Sequence, residues 1–311
     1  MAKIAVALEQ ALRQRALTGA AGRVSGSLLA AGKGWKVEDV ICTHGPRDRW
    51  FAEQHKNYSI AIVVSGSFQY QGDGARELMT PGSFMLGWAG QEFECRHEHG
   101  TGDRCIAFSF TPEYFEQLAA ETGGCKSKAG FRTLRVPPMR GFAPLVARAC
   151  VGLMDQAEAP QWEELGLQLA GQTLEFVQHG DLPSNSSAAP PSSEARVTRA
   201  LRMIESEIHG GPDTGTNDLE IENLAAEAGL SPYHFLRMFE RMTGTTPHQY
   251  ILRMRLREAA LRLADSPEKV LDVALDCGFG DVSNFNRAFR TEFGVSPRAY
   301  RKQAEKPTVT R

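Results

Sequence analysis

From Trp35 to Phe110 the apolar positions come in short runs separated by turn residues. Ser59-Ile-Ala-Ile-Val-Val64 is nearly all apolar and ends at Gly66. Phe68-Gln-Tyr70 follows and stops at the Gly72-Asp-Gly74 turn signal. Pro81-Gly82 precedes Ser83-Phe-Met-Leu86, and Arg104-Cys-Ile-Ala-Phe-Ser-Phe110 closes the series. Short strands at this spacing predict an antiparallel sandwich or barrel. The spacing then changes to that of helices. Thr111-Pro112 supplies an N-cap and a first-turn proline for a helix through Glu121. Two more helices are predicted over 141–154 and 161–178. In the second, Leu165, Leu169, Gln172 and Phe176 form one stripe, widened by Leu174 and Val177. That stripe suits either a dimer contact or packing onto the barrel.

Residues 180–194 are rich in Ser, Pro and Ala and hold almost no large apolar side chain, which predicts a solvated linker. Beyond it every predicted element is a helix, punctuated by Gly and Pro. The chain of 311 residues therefore divides into a domain over 1–179, the linker, an all-α domain over 195–303 and a tail over 304–311. The fold class is two-domain α+β: an antiparallel β-barrel followed by helices, then an all-α domain.

The all-α part contains an internal repeat. Phe235, Arg237, Phe239, Gly244, Pro247 and Tyr250 recur as Phe285, Arg287, Phe289, Gly294, Pro297 and Tyr300. Upstream, Leu224-Ala225 and Gly229-Leu230 correspond to Val273-Ala274 and Gly278-Phe279, with one residue more in the second turn. Each copy reads as a helix, a glycine turn and a second helix, which is a helix-turn-helix unit. In the first, Asp218 is placed to cap the leading helix and Ser231-Pro232 to start the second. Phe235, Met238, Phe239 and Met242 form the buried stripe of the first copy. Phe285, Ala288, Phe289 and Phe293 form that of the second.

The opposite faces carry Tyr233, His234, Arg237 and Arg241 in one copy, and Ser283, Asn284, Asn286, Arg287 and Arg290 in the other. Arg reads guanine and Asn reads adenine, each through two hydrogen bonds, while Ser, Tyr and His reach phosphates. These nine residues are the predicted DNA-binding positions. The alternative for Arg237 and Arg287 is an ion pair within the unit. A helix over 249–264, carrying Arg253, Arg255, Arg257 and Arg262, would set the units about 34 Å apart, in successive turns of one major groove.

Here the sequence resembles a known family. From Gly278, Gly-Phe-x-x-x-Ser-x-Phe-x-Arg-Ala-Phe-x-x-x-Phe-Gly-Val-Ser-Pro-x-x-Tyr-Arg301 resembles the signature of AraC-type transcription regulators. Leu-Ala-x-x-Ala-Gly-Leu-Ser-Pro-x-x-Phe-x-Arg-x-Phe239 matches in the first unit. The resemblance covers about a third of the chain in specific motifs. The N-terminal domain resembles, more loosely, the cupin-type sensor barrel that many members carry. The resemblance implies a cytoplasmic, homodimeric activator and not an enzyme. Its expected partners are double-stranded promoter DNA, a small-molecule effector and RNA polymerase.

The net charge of -2 does not by itself announce a nucleic-acid partner, so any DNA-binding surface must come from local clustering. Residues 1–19 are interrupted by polar and charged side chains. They predict an amphipathic surface helix, not a signal peptide, and no stretch suits a membrane span. Six cysteines without a CxxC pair point to reduced thiols in a cytoplasm.

The unusual N-terminal stretch is Phe93-Glu-Cys95-Arg-His97-Glu-His99-Gly-Thr-Gly-Asp-Arg-Cys105. In an extended chain Phe93, Cys95 and His97 share a face, and the glycines return Cys105 toward them. Cys95, His97, His99 and Cys105 are candidate ligands for zinc or another transition metal, or for thiol redox chemistry, and Cys42, His44 and His55 could converge on them. The plainer reading is that His97, His99 and Asp103 tie down the turn. The spacing departs from the metal-binding cupin pattern, which argues against a cupin-type metalloenzyme. A dense cysteine zinc site, as in DNA-damage-responsive alkyl-transfer proteins, is absent. An organic effector in the barrel, against Trp50, Phe84, Trp88 and Phe93, is the leading expectation.

Overall fold

A computed structural model describes residues 3–49, 52–100, 102–121, 131–155, 158–179, 190–210 and 219–304. Trp50, Asp218 and the tail beyond Ala304 lie outside the described residues.

Helix α1 (Lys3–Thr18) leads into strands β1 (Val24–Gly32), β2 (Trp35–Cys42), β3 (Glu53–Gln54), β4 (Tyr58–Gly66), β5 (Phe68–Gly72), β6 (Ala75–Met79), β7 (Phe84–Gly87), β8 (Glu92–Arg96) and β9 (Asp103–Phe110). Strand β10 (Arg135–Val136) follows helix α2 (Pro112–Glu121). Two antiparallel sheets result, with orders β1-β2-β9-β4-β7-β10 and β3-β8-β5-β6. Strand β4 is buried along Tyr58–Ser65, which explains its almost unbroken apolar run. Its alternate residues serve two cores. Ala61 and Val63 join Phe68, Tyr70, Met79 and Cys105 between the sheets, while Ile60, Ile62 and Val64 face the helices. The β5–β6 hairpin turns on Asp73 and Gly74, both at positive φ, as the Gly-Asp-Gly signal predicts.

Helices α3 (Ala143–Asp155) and α4 (Ala159–His179) cover the outer face of the larger sheet. Trp162 packs on Phe108 at 6.0 Å, and Leu165, Leu169, Leu174 and Val177 are buried there. The apolar stripe of α4 thus seals the barrel, and Gln172, exposed, is not part of it.

Helix α5 (Pro191–Gly210) starts four residues inside the segment expected as linker. Its Val197, Ala200, Leu201 and Ile204 are buried against the first repeat unit, so the helix belongs to that unit's core. The units follow as α6 (Ile221–Ala228) with α7 (Pro232–Thr243), and α9 (Val270–Asp276) with α10 (Val282–Phe293). Helix α8 (Pro247–Asp265) joins them, and α11 (Pro297–Ala304) ends the described chain. Gly229 and Gly278 take φ of 65° and 79° at equivalent turns, conformations that cost any residue with a Cβ. With Asp218 outside the described residues, Glu220 occupies the N-cap position of α6, without a side-chain cap bond.

The two domains share their cores. Leu78 of β6 is buried in the first unit's cluster, Ala147 of α3 in the second's, and Leu261 of α8 in the barrel's. Among the described residues no helix is long and apolar enough to cross a membrane.

Candidate nucleic-acid interface and sensor site

Each repeat unit buries its aromatic stripe and leaves one polar face outside. Phe235, Phe239, Phe285 and Phe289 are fully buried. In the same helices Tyr233, His234, Arg237, Arg241, Ser283, Asn284, Asn286, Arg287 and Arg290 are all exposed. All nine predicted DNA-binding residues therefore lie on two exposed helix faces, four on α7 and five on α10. Local chemistry pre-shapes both. Arg237 Nη1 donates to Tyr233 Oη at 3.2 Å and sits over that ring at 5.9 Å. Arg287 Nη2 donates to Asn284 Oδ1 at 3.2 Å. Both hydrogen bonds run to neutral partners on the same face, so each arginine keeps an outward charge for an anion.

The starts of α7 and α10 are built differently. Asp281 accepts from the Asn284 amide at 2.7 Å and caps α10. Ser231 stands at the cap of α7 but bonds His234 Nδ1 at 2.8 Å instead. The arginines of α8 do other work. Arg255 donates to Gly278 O at 3.1 Å, at the second turn, and Arg262 pairs with Asp276 at 2.7 Å and with Glu268. These contacts hold the units in place.

In the sensor domain the three described effector candidates are spread over two cores. Phe84 is buried on the helix side of the sheet, edge-on to Phe142 at 4.9 Å. Trp88 is half-buried between the two cores. Phe93 stacks on His55 at 4.0 Å, and Trp50 lies outside the described residues. Burial lowers the His55 pKa to about 4, so its imidazole is neutral, and Nε2 lies 2.8 Å from Tyr70 Oη. A cavity of about 170 Å³ instead opens where Cys42, His44, Asp48, Glu53, Cys95 and His97 come together.

The predicted metal set is redistributed. Phe93, Cys95 and His97 share a parity, as alternation requires, and Cys105 does return to the same interior. His97 Nε2 lies 2.6 Å from Asp103 Oδ1, the turn-tying contact of the plainer reading. The donor atoms grouped with His97 belong to Cys42 and Asp103, which the register pairs across β2 and β9. The His99 donor atom lies instead beside those of Glu98 and Glu194. The sequence grouped neighbours along the chain, whereas the sheet brings together residues sixty apart.

Two family models match this chain. Residues 37–170 match an AraC-like ligand binding domain and residues 224–303 match a helix-turn-helix domain. The chain belongs to the AraC-type regulators. Among curated relatives of this AraC-type chain, the transcriptional activator NphR of Rhodococcus sp. is 27% identical over 81% of the chain and 72% of its own length. The transcriptional activator RhaS of Klebsiella pneumoniae is 34% identical over 48% of the chain and 52% of its own length. A solved AraC-type DNA-binding-domain-containing regulator from Chromobacterium violaceum is 26% identical, covering 38% of the chain and 99% of that protein, with a TM-score of 0.32.

Sequence reasoning about this AraC-type chain missed the contact between its domains. Arg135, buried, donates through Nη1 to Met242 O at 2.7 Å, at the end of α7, and to Leu78 O at 3.2 Å. Its Nε pairs with Glu77 at 3.0 Å. Burial lowers the Arg135 pKa, and the Glu77 charge works against that shift. Arg253 donates to Pro138 O at 2.7 Å, and the Gly66 amide donates to Glu205 Oε2 at 3.2 Å. Arg76 pairs with Glu194 at 2.7 Å. Gly244, at φ 76°, caps α7 where a Cβ would lie 2.6 Å from Pro137 Cβ. The glycine thus serves both the helix end and the approach of the sensor. An isolated arginine on a two-residue strand gives no sequence signal of such a role.

Proposed function

We propose that this chain is an effector-responsive transcription regulator that binds promoter DNA by laying α7 and α10 into successive turns of the major groove. One observation carries the reading: two repeated units bury the same aromatic stripe and expose nine polar or cationic side chains in all, four on the second helix of the first and five on that of the other. Such faces suit base edges and phosphates, and a second helix of this kind fits the groove. The curated relatives named above are activators, so activation is the proposed sign, with RNA polymerase as the partner. A homodimer reading two half-sites, located in the cytoplasm, is the arrangement proposed, with no catalytic role.

The effector would act through the barrel. A small polar molecule has room in the cavity lined by Cys42, His44, Arg49 and Glu53. The Arg135 and Gly244 contacts supply a route from barrel to α7. An effector that binds one arrangement of that contact better than another shifts the population toward it.

Footprinting of the full chain on the DNA upstream of its own gene tests the reading. The expected result is two protected major-groove segments per subunit, about one helical turn (~34 Å) apart. A single segment, or protection no stronger than on unrelated DNA of equal length, contradicts it.

A further inference from the structure

We propose that Cys42, His97 and Asp103 form a site for one thiophilic divalent transition-metal ion of the zinc class, at the floor of the barrel cavity. The proposal does not rest on the regulator reading, because its test reads metal and not DNA.

Four observations converge. The donor atoms of the three side chains lie within 4.8 Å of one another, and all three residues are buried. They come from the end of β2, the start of β9 and the residue after β8, so three separate segments aim at one point. The His97 side chain is 1% exposed, and its Nε2 faces Asp103 Oδ1 at 2.6 Å, so two of the donor atoms already converge in the interior. Finally, the cavity reaches Cys42 and His97 directly and gives an ion a way in.

The electrostatics favour a cation. Cys105 donates its thiol to Asp103 Oδ2 at 3.3 Å, and Cys95 and Cys42 feel the same carboxylate. The charges acting on these thiols are Asp103, Asp48, Glu53 and one another, all negative when ionised. A dication at this point would reverse the field. The Cys42 sulfur–proton bond breaks, a sulfur–metal bond forms, and the proton passes to solvent. A thiolate, an imidazole and a carboxylate are a ligand set of the zinc class, with a fourth position left facing the cavity. His97 and Asp103, 2.6 Å apart, would separate by several tenths of an ångström to share the ion.

The other acidic group fares worse. Glu194 and Glu98 of the Glu98–His99–Glu194 set already pair with Arg76, at 2.7 and 3.5 Å, and Glu98 also with Arg96. Those arginines supply the charge that an ion would bring.

The test is cobalt(II) titration of the full chain without a histidine tag, read by the sulfur-to-cobalt charge-transfer band, with zinc(II) competition. The expected result is one equivalent bound with the visible bands of a four-coordinate site, displaced by zinc. Cys42→Ser should abolish the charge-transfer band. His97→Gln and Asp103→Asn should each weaken binding at least about tenfold. His99→Ala and Cys277→Ser should bind as the parent does. Should Cys42→Ser fail to fold, the His97→Gln and Asp103→Asn variants and the parent titration still decide. Absence of a charge-transfer band in the parent, binding that survives all three substitutions, or loss on His99→Ala overturns the site.

Discussion

The DNA-binding half and the sensor half use polar side chains in opposite ways. On α7 and α10 the nine side chains assigned to DNA point outward, and the fold rests on the phenylalanines beneath them. In the sensor, His97, Asp103, Arg135 and Gln69 are buried and bonded, so the polar groups are part of the packing. A face that the fold does not need is free to recognise a partner. A buried polar cluster must satisfy itself or be satisfied by what it binds.

This contrast sets the size of each expected effect. Phe285→Ala should be the most damaging substitution. The ring is fully buried between Phe279 at 5.0 Å and Phe289 at 5.5 Å, and its loss should cost about 3–5 kcal/mol. Urea denaturation measures it, and a cost under about 1 kcal/mol would mean the second core is not the one described. Arg135→Ala comes next, at about 2–4 kcal/mol, because Glu77 and the Met242 carbonyl lose a buried partner. Hydrogen exchange should quicken at the amides of Thr243–Thr245 and stay unchanged in α10. Uniform acceleration would show that Arg135 stabilises the whole chain and not the domain contact.

A smaller effect is a pH dependence of that contact. Burial raises Glu205 from 4.5 to about 7, so the docked state holds a proton that an exposed carboxyl releases at lower pH. Its contribution to docking is therefore complete below about 4.5 and is lost as the pH rises through about 7. The same hydrogen-exchange protection should be greater at pH 6 than at pH 8. In Glu205→Gln that difference should shrink; an undiminished difference assigns the titration elsewhere.

The repeat was legible because its information is local. Phe, Gly and Pro at fixed offsets within one unit dictate stripe, turn and cap, and the nine outward residues follow by elimination. Strands such as β4 and β9 and the turn at Asp73-Gly74 were legible for the same reason. The sensor site was not, since Cys42 meets Asp103 only through the β2–β9 register, and spacing along the chain pointed to His99 instead. Phe84 is apolar on either face of its sheet, so composition could not tell cavity wall from helix-side core. Pro191-Ser-Ser-Glu194 read as linker, yet Glu194 pairs with Arg76 and draws the first turn of α5 onto the barrel.

The central claim, that α7 and α10 both read DNA with side chains the fold does not need, is tested most directly by competition binding at two salt concentrations. Arg237→Ala, Asn284→Ala and the double variant would be compared with the parent on a footprinted site and on a scrambled one. Each single substitution should weaken specific binding by about 1–3 kcal/mol, with unfolding midpoints unchanged and the discrimination against the scrambled site reduced. Parent-like affinity and discrimination in the folded double variant would contradict the account.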